Sequence, residues 1–357
     1  MAKTNKINNT PIQATIFDVA RMCNVSRGTV DRVIHNRGRV SQDTVDKVKR
    51  AIEILGYSPN LNASILASKK TYTFACLIPG FEHGEYWEKI HEGFIAGANS
   101  LYNYNIEVDF HFYDQTNPES YIRCTDDILA SRPHGVIMNT TFKEETIRFA
   151  GMLDEAGIPF AFVDDKFDGL NYTVYYGMDP YKSGRLGAFL LTNHFNPDEL
   201  LLVRLIRDTN HKADPNAKRR QGFLDYISMK FPECRIHTVF INPTDPQQIY
   251  VTLKDFFANN PDVKHLIMIN SRIFLIDEYL RENPDTKRVV VGFDDIEPNL
   301  ASLRSGHIEF LVTRHISSQS RLALTTFAEC VIRGVKPQKR DNFLHMDILH
   351  RLNMDDY

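Results

Sequence analysis

The sequence predicts a small all-α head followed by a larger α/β body whose parallel sheets divide into two lobes. Three observations carry this. The 357 residues have a net charge of −3 that conceals a split: residues 1–70 hold twelve Lys/Arg against five Asp/Glu, a balance of +7, while the rest hold 30 against 40, a balance of −10. The first 57 residues space their apolar side chains at helical intervals and show almost no strand character. From Tyr72 onward, β-rich apolar runs alternate with amphipathic stretches, the pattern of βαβ units and of parallel sheets covered on both faces. That pattern runs for about 270 residues, more than one compact core holds, so two lobes are expected.

In the head, Thr15 opens a capping box with Asp18, and IFDVARMC places Ile16, Val19 and Ala20 on one helical face. Asn24 stops that helix, because asparagine tolerates the left-handed conformation of a tight turn. Ser26 caps a second helix, RGTVDRVIHN, with Val30, Val33 and Ile34 at helical spacing. Ser41 caps a third, QDTVDKVKRAIEILG, with Val45, Val48, Ile52 and Leu55 apolar and Gly56 as its stop. Residues 58–70 (SPNLNASILASKK) are broken by Pro59 and hold a weak helix former of two turns, too short to be stable alone. In the body, strands are expected at 72–79, 106–113, 135–139, 159–164, 200–206, 237–241, 265–270 and 288–293, with helices such as 89–102 and 247–260 between them. The boundaries are a flexible tail at 1–12, a helical head at 13–58, a hinge or linker at 59–70 and a two-lobed body at 71–357.

Composition narrows the function. With 43% apolar and 24% charged residues the chain folds rather than remaining disordered. No stretch approaches the ~18 consecutive apolar residues of a membrane span. The N-terminus, MAKTNKINNTPIQ, lacks an apolar signal core. The five cysteines form no C-x-x-C pair, which fits neither a disulfide framework nor zinc and suits a reducing cytosol. A cytoplasmic protein is expected, with no membrane partner. There is no G-x-S-x-G, G-x-G-x-x-G, P-loop or H-E-x-x-H, and the thirteen histidines lack ligand spacing. No catalytic residue, metal or cofactor is therefore expected.

Helix, tight turn at CNVS and second helix make a helix-turn-helix, whose second helix enters the major groove. Arg27, Gly28 and Thr29 then lead, with Asp31 and Arg32 one turn on. Arg27 or Arg32 can grip guanine bidentately. Arg37, Arg39, Lys47 and the Ser and Thr caps suit phosphates. Here the chain resembles the LacI/GalR family of bacterial transcription regulators, through TIFDVARMCNVSRGTVDRVIHNRGRVS, T-x-D-K-V, A-I-E-I-L-G-Y-S-P-N and A-S-I-L-A. The resemblance implies that the segment after Y-S-P-N forms a hinge helix on the operator, paired across a dimer, with Leu66 wedged into the minor groove and Ala63 beside it. The residues assigned to DNA are Thr15, Ser26, Arg27, Gly28, Thr29, Arg32, Asn36, Arg39 and Ser41, with Asn60, Ala63 and Leu66 in the hinge. Two positions depart from many relatives: Gly28 offers no base contact, and Asp31 stands where serine is usual.

In doubly wound α/β folds, ligands bind beyond the carboxyl ends of the strands. The segments that follow the strands here supply Tyr86 and Trp87, Asn139 to Thr141, Asp164–Asp165, Asn270–Ser271 and Asp294–Asp295. Carboxylates and amides bind hydroxyls, and an aromatic face stacks on a sugar ring. The acidic pairs could serve as the carboxylates of a glycosidase, but adjacent acids at parallel-strand tips equally serve to hold hydroxyls, and a binding-only domain is the expectation. Over about residues 72–350 the chain also resembles periplasmic sugar-binding proteins of the ribose-binding type, through Y-W-x-x-I-x-x-G-F, the N-T-T turn, A-G-I-P-F-A-F-V-D, R-R-Q-G-F and V-V-V-G-F-D. That resemblance implies a type I two-lobed effector domain. Tyr86 and Trp87 would stack, Asn139, Asp165 and Asp294 would bind hydroxyls, Arg219 would be a cationic partner and Asn270 a pocket amide. Arg314 stands where glutamine is common. Arg219 and Arg314 together fit a phosphorylated or acidic sugar, or else an inter-lobe salt bridge with Asp165 or Asp294.

The expectation is a homodimeric, sugar- or sugar-phosphate-responsive transcription repressor that reads a palindromic operator in double-stranded DNA near carbohydrate genes. The alternative is a carbohydrate-binding protein or enzyme of the same α/β fold without regulatory DNA binding. No heptad repeat extends the C-terminus toward a coiled-coil tetramer.

Overall fold

The computed structural model describes residues 15–34, 38, 40–55, 70–193, 196–206, 216–284 and 287–354. The chain divides into two compact units, residues 1–70 and residues 71–357.

Among the described residues of the first unit, three helices form: α1 (Ile16–Cys23), α2 (Arg27–Ile34) and α3 (Gln42–Leu55). The Thr15 backbone N–H donates to the Asp18 carboxylate at 2.9 Å and its hydroxyl at 2.6 Å, and the Thr15 hydroxyl is the chief reason the Asp18 carboxyl lies below its ordinary range. Asn24 ends α1 at φ 51°, in the left-handed region. The Ser26 hydroxyl accepts from the Thr29 N–H at 3.1 Å, and Ser41 accepts from Thr44 at 3.4 Å, so serine starts both later helices. Val19, Ala20, Val30, Val48 and Ala51 make the core. Helices this short hold together through that shared apolar face rather than by propensity. The tail at 1–12, Gly56 and the hinge at 59–70, apart from Lys70, lie outside the described residues.

Among its described residues the second unit contains two six-stranded sheets. The strands are β1 (Tyr72–Pro79), β2 (Ile106–Tyr113), β3 (Gly135–Met138), β4 (Phe160–Asp164), β5 (Tyr175–Gly177), β6 (Glu199–Leu205), β7 (Arg235–Ile241), β8 (His265–Met268), β9 (Val289–Phe293), β10 (Phe310–Thr313), β11 (Asp341–Phe343) and β12 (Asp347–Leu349). The helices are α4 (Tyr86–Ser100), α5 (Pro118–Ser131), α6 (Lys143–Ala156), α7 (Pro180–Thr192), α8 (Ala217–Lys230), α9 (Pro246–Asn259), α10 (Asp277–Glu282), α11 (Glu297–Arg304) and α12 (Ile316–Arg333). The first lobe's sheet runs β11-β5-β4-β3-β1-β2, all parallel. The second runs β12-β10-β9-β8-β6-β7, parallel except for β12 against β10.

Burial on both faces explains the unbroken apolar runs. Along β1, Phe74, Cys76 and Ile78 enter one core with Phe94 and Phe327, while Ala75 and Leu77 enter another with Tyr121 and Phe149. Phe327 belongs to α12, which follows a strand of the second lobe yet packs on the first, its ring 5.7 Å from Phe74. The chain thus passes between lobes at β5–α7, β10–α12 and β11–β12. Helices α7 and α8 lie backbone to backbone. A Cβ at Gly184 would sit 1.8 Å from the Arg219 carbonyl oxygen, and one at Gly222 would sit 2.0 Å from that of Tyr181. Only glycine permits the approach that sets Arg219 against the second sheet.

The eight expected strands are present with ends shifted by a few residues. Strands β5, β10, β11 and β12 were not expected. At three or four residues each, they are too short to display a period and exist because a neighbouring edge offers hydrogen bonds.

Candidate functional site

On the head, Arg27, Gly28 and Arg32 are exposed along α2, and Thr29 is half-buried behind them. The Arg27 guanidinium rests 5.3 Å over the exposed Phe17 ring, and Arg32 Nε donates to the Gly28 carbonyl at 3.0 Å. Both side chains are thereby pre-positioned along one face with most of their donors open. The hydroxyls of Thr15, Ser26 and Ser41 are engaged in local hydrogen bonds at the three helix starts. An anion there would be held by the helix N–H groups. Asn36, Arg39, Asn60, Ala63 and Leu66 lie outside the described residues.

On the body, one cleft of about 130 Å³ opens at the carboxyl ends of both sheets, where a doubly wound fold leaves backbone and loops free to meet a ligand. Tyr86, Trp87, Asn139, Asp165, Arg219, Asn270, Asp294 and Arg314 all line it, together with Gln115, Thr140, Thr141, Asp164, Met178, Pro180, Asn216 and Ser271. The eight residues named from the sequence therefore meet in one place.

Its centre is Arg314, in the crossover between β10 and α12. Its Nη2 lies 2.8 Å from Asp164 Oδ1 of the first lobe and donates to the Tyr86 hydroxyl at 2.6 Å. Its Nε faces Asp294 Oδ1 of the second lobe at 3.4 Å, an ion pair whose geometry falls short of a hydrogen bond. Tyr86 donates in turn to Asp164 at 2.7 Å. Asp164 ends β4 and Asp294 follows β9, at φ 74° and 70°, and this left-handed turn aims both carboxylates inward. Burial works against the charge on Arg314, but Tyr86, Asp164 and Asp294 outweigh it and hold the guanidinium more firmly protonated than usual. Burial raises the Asp294 carboxyl, with Arg314 and Arg219 pulling it back. The salt bridge expected with Asp165 forms instead with its neighbour Asp164, because the backbone turn at 164 points that side chain toward Arg314. The Asp294 half of the expectation stands as read.

Arg219 is spent differently. Its Nε donates to Ser183 at 3.1 Å, its Nη1 to the Ile269 carbonyl at 2.9 Å, and its plane covers the Phe293 ring at 4.5 Å. The Asn139 oxygen accepts from the Tyr113 hydroxyl and from both the N–H and hydroxyl of Thr141, so the amide NH2 is the group it can offer. The Asn270 oxygen accepts from the Arg272 N–H at 2.9 Å. Two further ion pairs join the lobes beside the cleft: Lys89 with Asp295 at 3.1 Å and Arg272 with Glu85 at 2.9 Å. Trp87 lines the cleft and also belongs to the first lobe's core, only 8% exposed, its ring 5.1 Å from that of Tyr86 and perpendicular to it. Pocket wall and core are ordinarily alternatives for a lone tryptophan. The side chain is both, because α4 begins at the cleft and runs into the core.

Asp164, Gln319 and the two flanking ties were not singled out from the sequence. Gln319 donates to the Tyr86 hydroxyl at 3.3 Å from within α12, and no local motif marks it. Asp164 was one half of a visible acidic pair, and only the backbone turn distinguishes it from Asp165.

Asp165 carries a pH dependence. Burial pushes its carboxyl up to about 6, against a backbone hydrogen bond from Lys166. A carboxyl raised on folding binds protons more readily in the native state, so stability falls as pH rises from about 4 to about 6. Ligand hydroxyls donating to the ionised form act in the opposite sense. Affinity for a polyol is expected to weaken as pH falls through about 6, and the titration in Asp165→Asn should be flat over that window.

Residues 74–332 match the family described as periplasmic binding protein domain, and residues 15–60 match the bacterial regulatory proteins of the lacI family. Catabolite control protein A of Priestia megaterium is 35% identical over 137 residues, 38% of this chain and 40% of that protein. Catabolite control protein A of Streptococcus mutans is 34% identical over 205 residues, 57% and 59% of the two chains. The matches thus span about two fifths to three fifths of the length of these curated relatives. Among solved structures, a Bacteroides fragilis protein assigned as a LacI transcriptional regulator superposes with a TM-score of 0.76 at 28% identity, over 81% of this chain and 100% of that one. A carbohydrate transporter solute binding protein from Agrobacterium radiobacter, in complex with D-arabinose, gives 0.67 at 18% identity over 81% and 97%, a likeness of fold alone.

Proposed function

Because the chain belongs to the periplasmic-binding-protein family over residues 74–332 and carries at residues 15–60 the DNA-binding domain of the lacI family, we propose that it is a transcription regulator whose DNA binding answers to a small carbohydrate. The observation that carries this reading is the cleft: two aromatic rings, an amide and inward-facing carboxylates converge at the strand tips on the same chain as a helix-turn-helix. Two of the relatives named above are called catabolite control protein A and a third a LacI transcriptional regulator, and binding without bond-breaking is the activity proposed for the cleft.

The protein would act in the cytoplasm as a homodimeric repressor. Two heads related by a two-fold axis read a palindrome, and one head alone would read only half of it. Effector binding would close or twist the lobes and alter the spacing of the paired hinge segments. Only a ligand that prefers one arrangement can do so, and the coupling is expected at about 1–3 kcal/mol. Catabolite control in the relatives' name agrees with target genes for carbohydrate uptake or catabolism.

The test is selection of genomic DNA fragments on the purified full-length protein, followed by sequencing. A shared short palindrome upstream of carbohydrate genes, with retention altered by pooled sugars, is the expected result. Absence of any common site sinks the regulator reading. On the recovered operator, Arg32→Ala should cost about 1–3 kcal/mol and appreciably less on random DNA. An equal loss on both would make Arg32 a phosphate contact.

A further inference from the structure

We propose that Phe17 and Arg27 read DNA as one unit, Arg27 gripping a guanine while the Phe17 ring covers the C5-methyl of a thymine in the next base pair; this deepens the regulator reading above and rests on it. The head carries a balance of +7 over residues 1–70, so a polyanion is the surface it fits. Its cations differ in what holds them. Arg21 stands 3.8 Å from Asp18 and Lys47 2.6 Å from Asp43, whereas Arg27 has no carboxylate partner among the described residues. What it has is a ring. The guanidinium rests 5.3 Å over Phe17, and both side chains are exposed, Phe17 at 58%.

An exposed apolar side chain by itself marks nothing, and Met22 and Ile54 on this head are exposed as well. Phe17 differs because it carries the cation that leads α2, the helix that enters the major groove. A guanidinium stacked on a ring keeps its N–H edge free and loses rotational freedom before DNA arrives, which suits the two-pronged contact to guanine O6 and N7. That contact makes the guanidinium coplanar with the base. Base pairs stack about 3.4 Å apart, so a ring centred 5.3 Å from the guanidinium carbon lies over the neighbouring pair. At the major-groove edge of that pair only thymine presents a methyl group for an apolar ring to cover. Gly28 leaves room for the approach. A Cβ built on it would meet only the Ser26 hydroxyl at 3.8 Å, so no packing inside the head calls for glycine. The bare backbone beside Arg27 adds no side-chain contact of its own, and specificity at this end of α2 falls to the stacked pair.

The experiment begins with selection from random-sequence duplexes on the full-length protein, which defines the half-site. A guanine next to a T·A pair is expected in it. Replacing that thymine by deoxyuridine removes the methyl group and leaves the base pairing intact. The wild-type protein should then bind about three- to tenfold more weakly, while Phe17→Ala should bind the two duplexes equally, which assigns the loss to the contact between ring and methyl. Arg27→Lys should weaken both duplexes about tenfold or more, because an ammonium cannot reproduce the fork. Each variant is compared with itself on two duplexes, so a change in its stability does not enter. A half-site with no guanine beside a thymine overturns the proposal, as does a wild-type protein indifferent to deoxyuridine or a methyl effect that survives in Phe17→Ala. Enrichment of no site at all is a failure of the regulator reading itself, and the two failures are thus told apart.

Discussion

Arg314→Ala is expected to destabilise the two-lobed body by about 3–5 kcal/mol, the cost of leaving buried charges without their partner. Arg314 is 5% exposed and Asp294 2%. The substitution leaves Asp294 and Asp164 without their cation, and it removes one of the two donors to the Tyr86 hydroxyl along with the guanidinium that lies 5.0 Å over that ring. Because the two carboxylates come from different lobes, the loss should also loosen lobe closure, read as a lower denaturant midpoint. The double variant Arg314→Ala with Asp294→Asn should recover part of the loss, since one stranded charge has gone. A cost below about 1 kcal/mol would place the cluster among solvent-screened surface pairs and remove it as the tie between lobes.

Trp87→Ala is expected to cost a similar amount, about 3–5 kcal/mol, and to abolish effector binding as well. The two losses have separate causes. The indole fills the first lobe's core beside Ile90 and Tyr86, and its alanine replacement leaves a cavity there. The same ring forms part of the cleft wall, where it would stack on a sugar face. Trp87→Phe separates them: most of the stability should return, while sugar affinity stays clearly reduced. Full affinity in the phenylalanine variant would assign Trp87 to the core alone.

The head was legible almost residue by residue. Its signals are local: Thr15 with Asp18, the left-handed Asn24, Ser26 and Ser41 at helix starts, and apolar positions three and four apart. Each is decided within one or two turns of chain. The long strands of the body were legible for a related reason, because burial on both faces demands runs of Val, Ile, Leu and Phe that no surface segment needs. The rule that ligands sit at the strand tips then brought Asn139, Asp165, Asn270 and Asp294 into one list before any of them was seen to share a wall.

The short strands β5, β10, β11 and β12 were not legible, since three or four residues carry no period and their pairing depends on an edge supplied from elsewhere. Nor was the choice between Asp164 and Asp165, which neighbour each other in sequence and differ only in where the backbone turn points them. Tyr86 and Arg314 stand 228 positions apart, and no spacing rule reaches that far.

The sequence by itself determined the two-part organisation, the three capped helices, the parallel two-lobed fold class and the roster of polar groups at the strand ends. Tertiary structure alone decided how that roster is spent. It crossed α12 back onto the first lobe, set Arg314 between carboxylates of both lobes, and let Trp87 serve core and cleft together. The physical reason is range. Helix caps and apolar periods are settled by neighbours in the chain, whereas the state of a buried charge is settled by whichever groups the fold brings within about 4 Å of it.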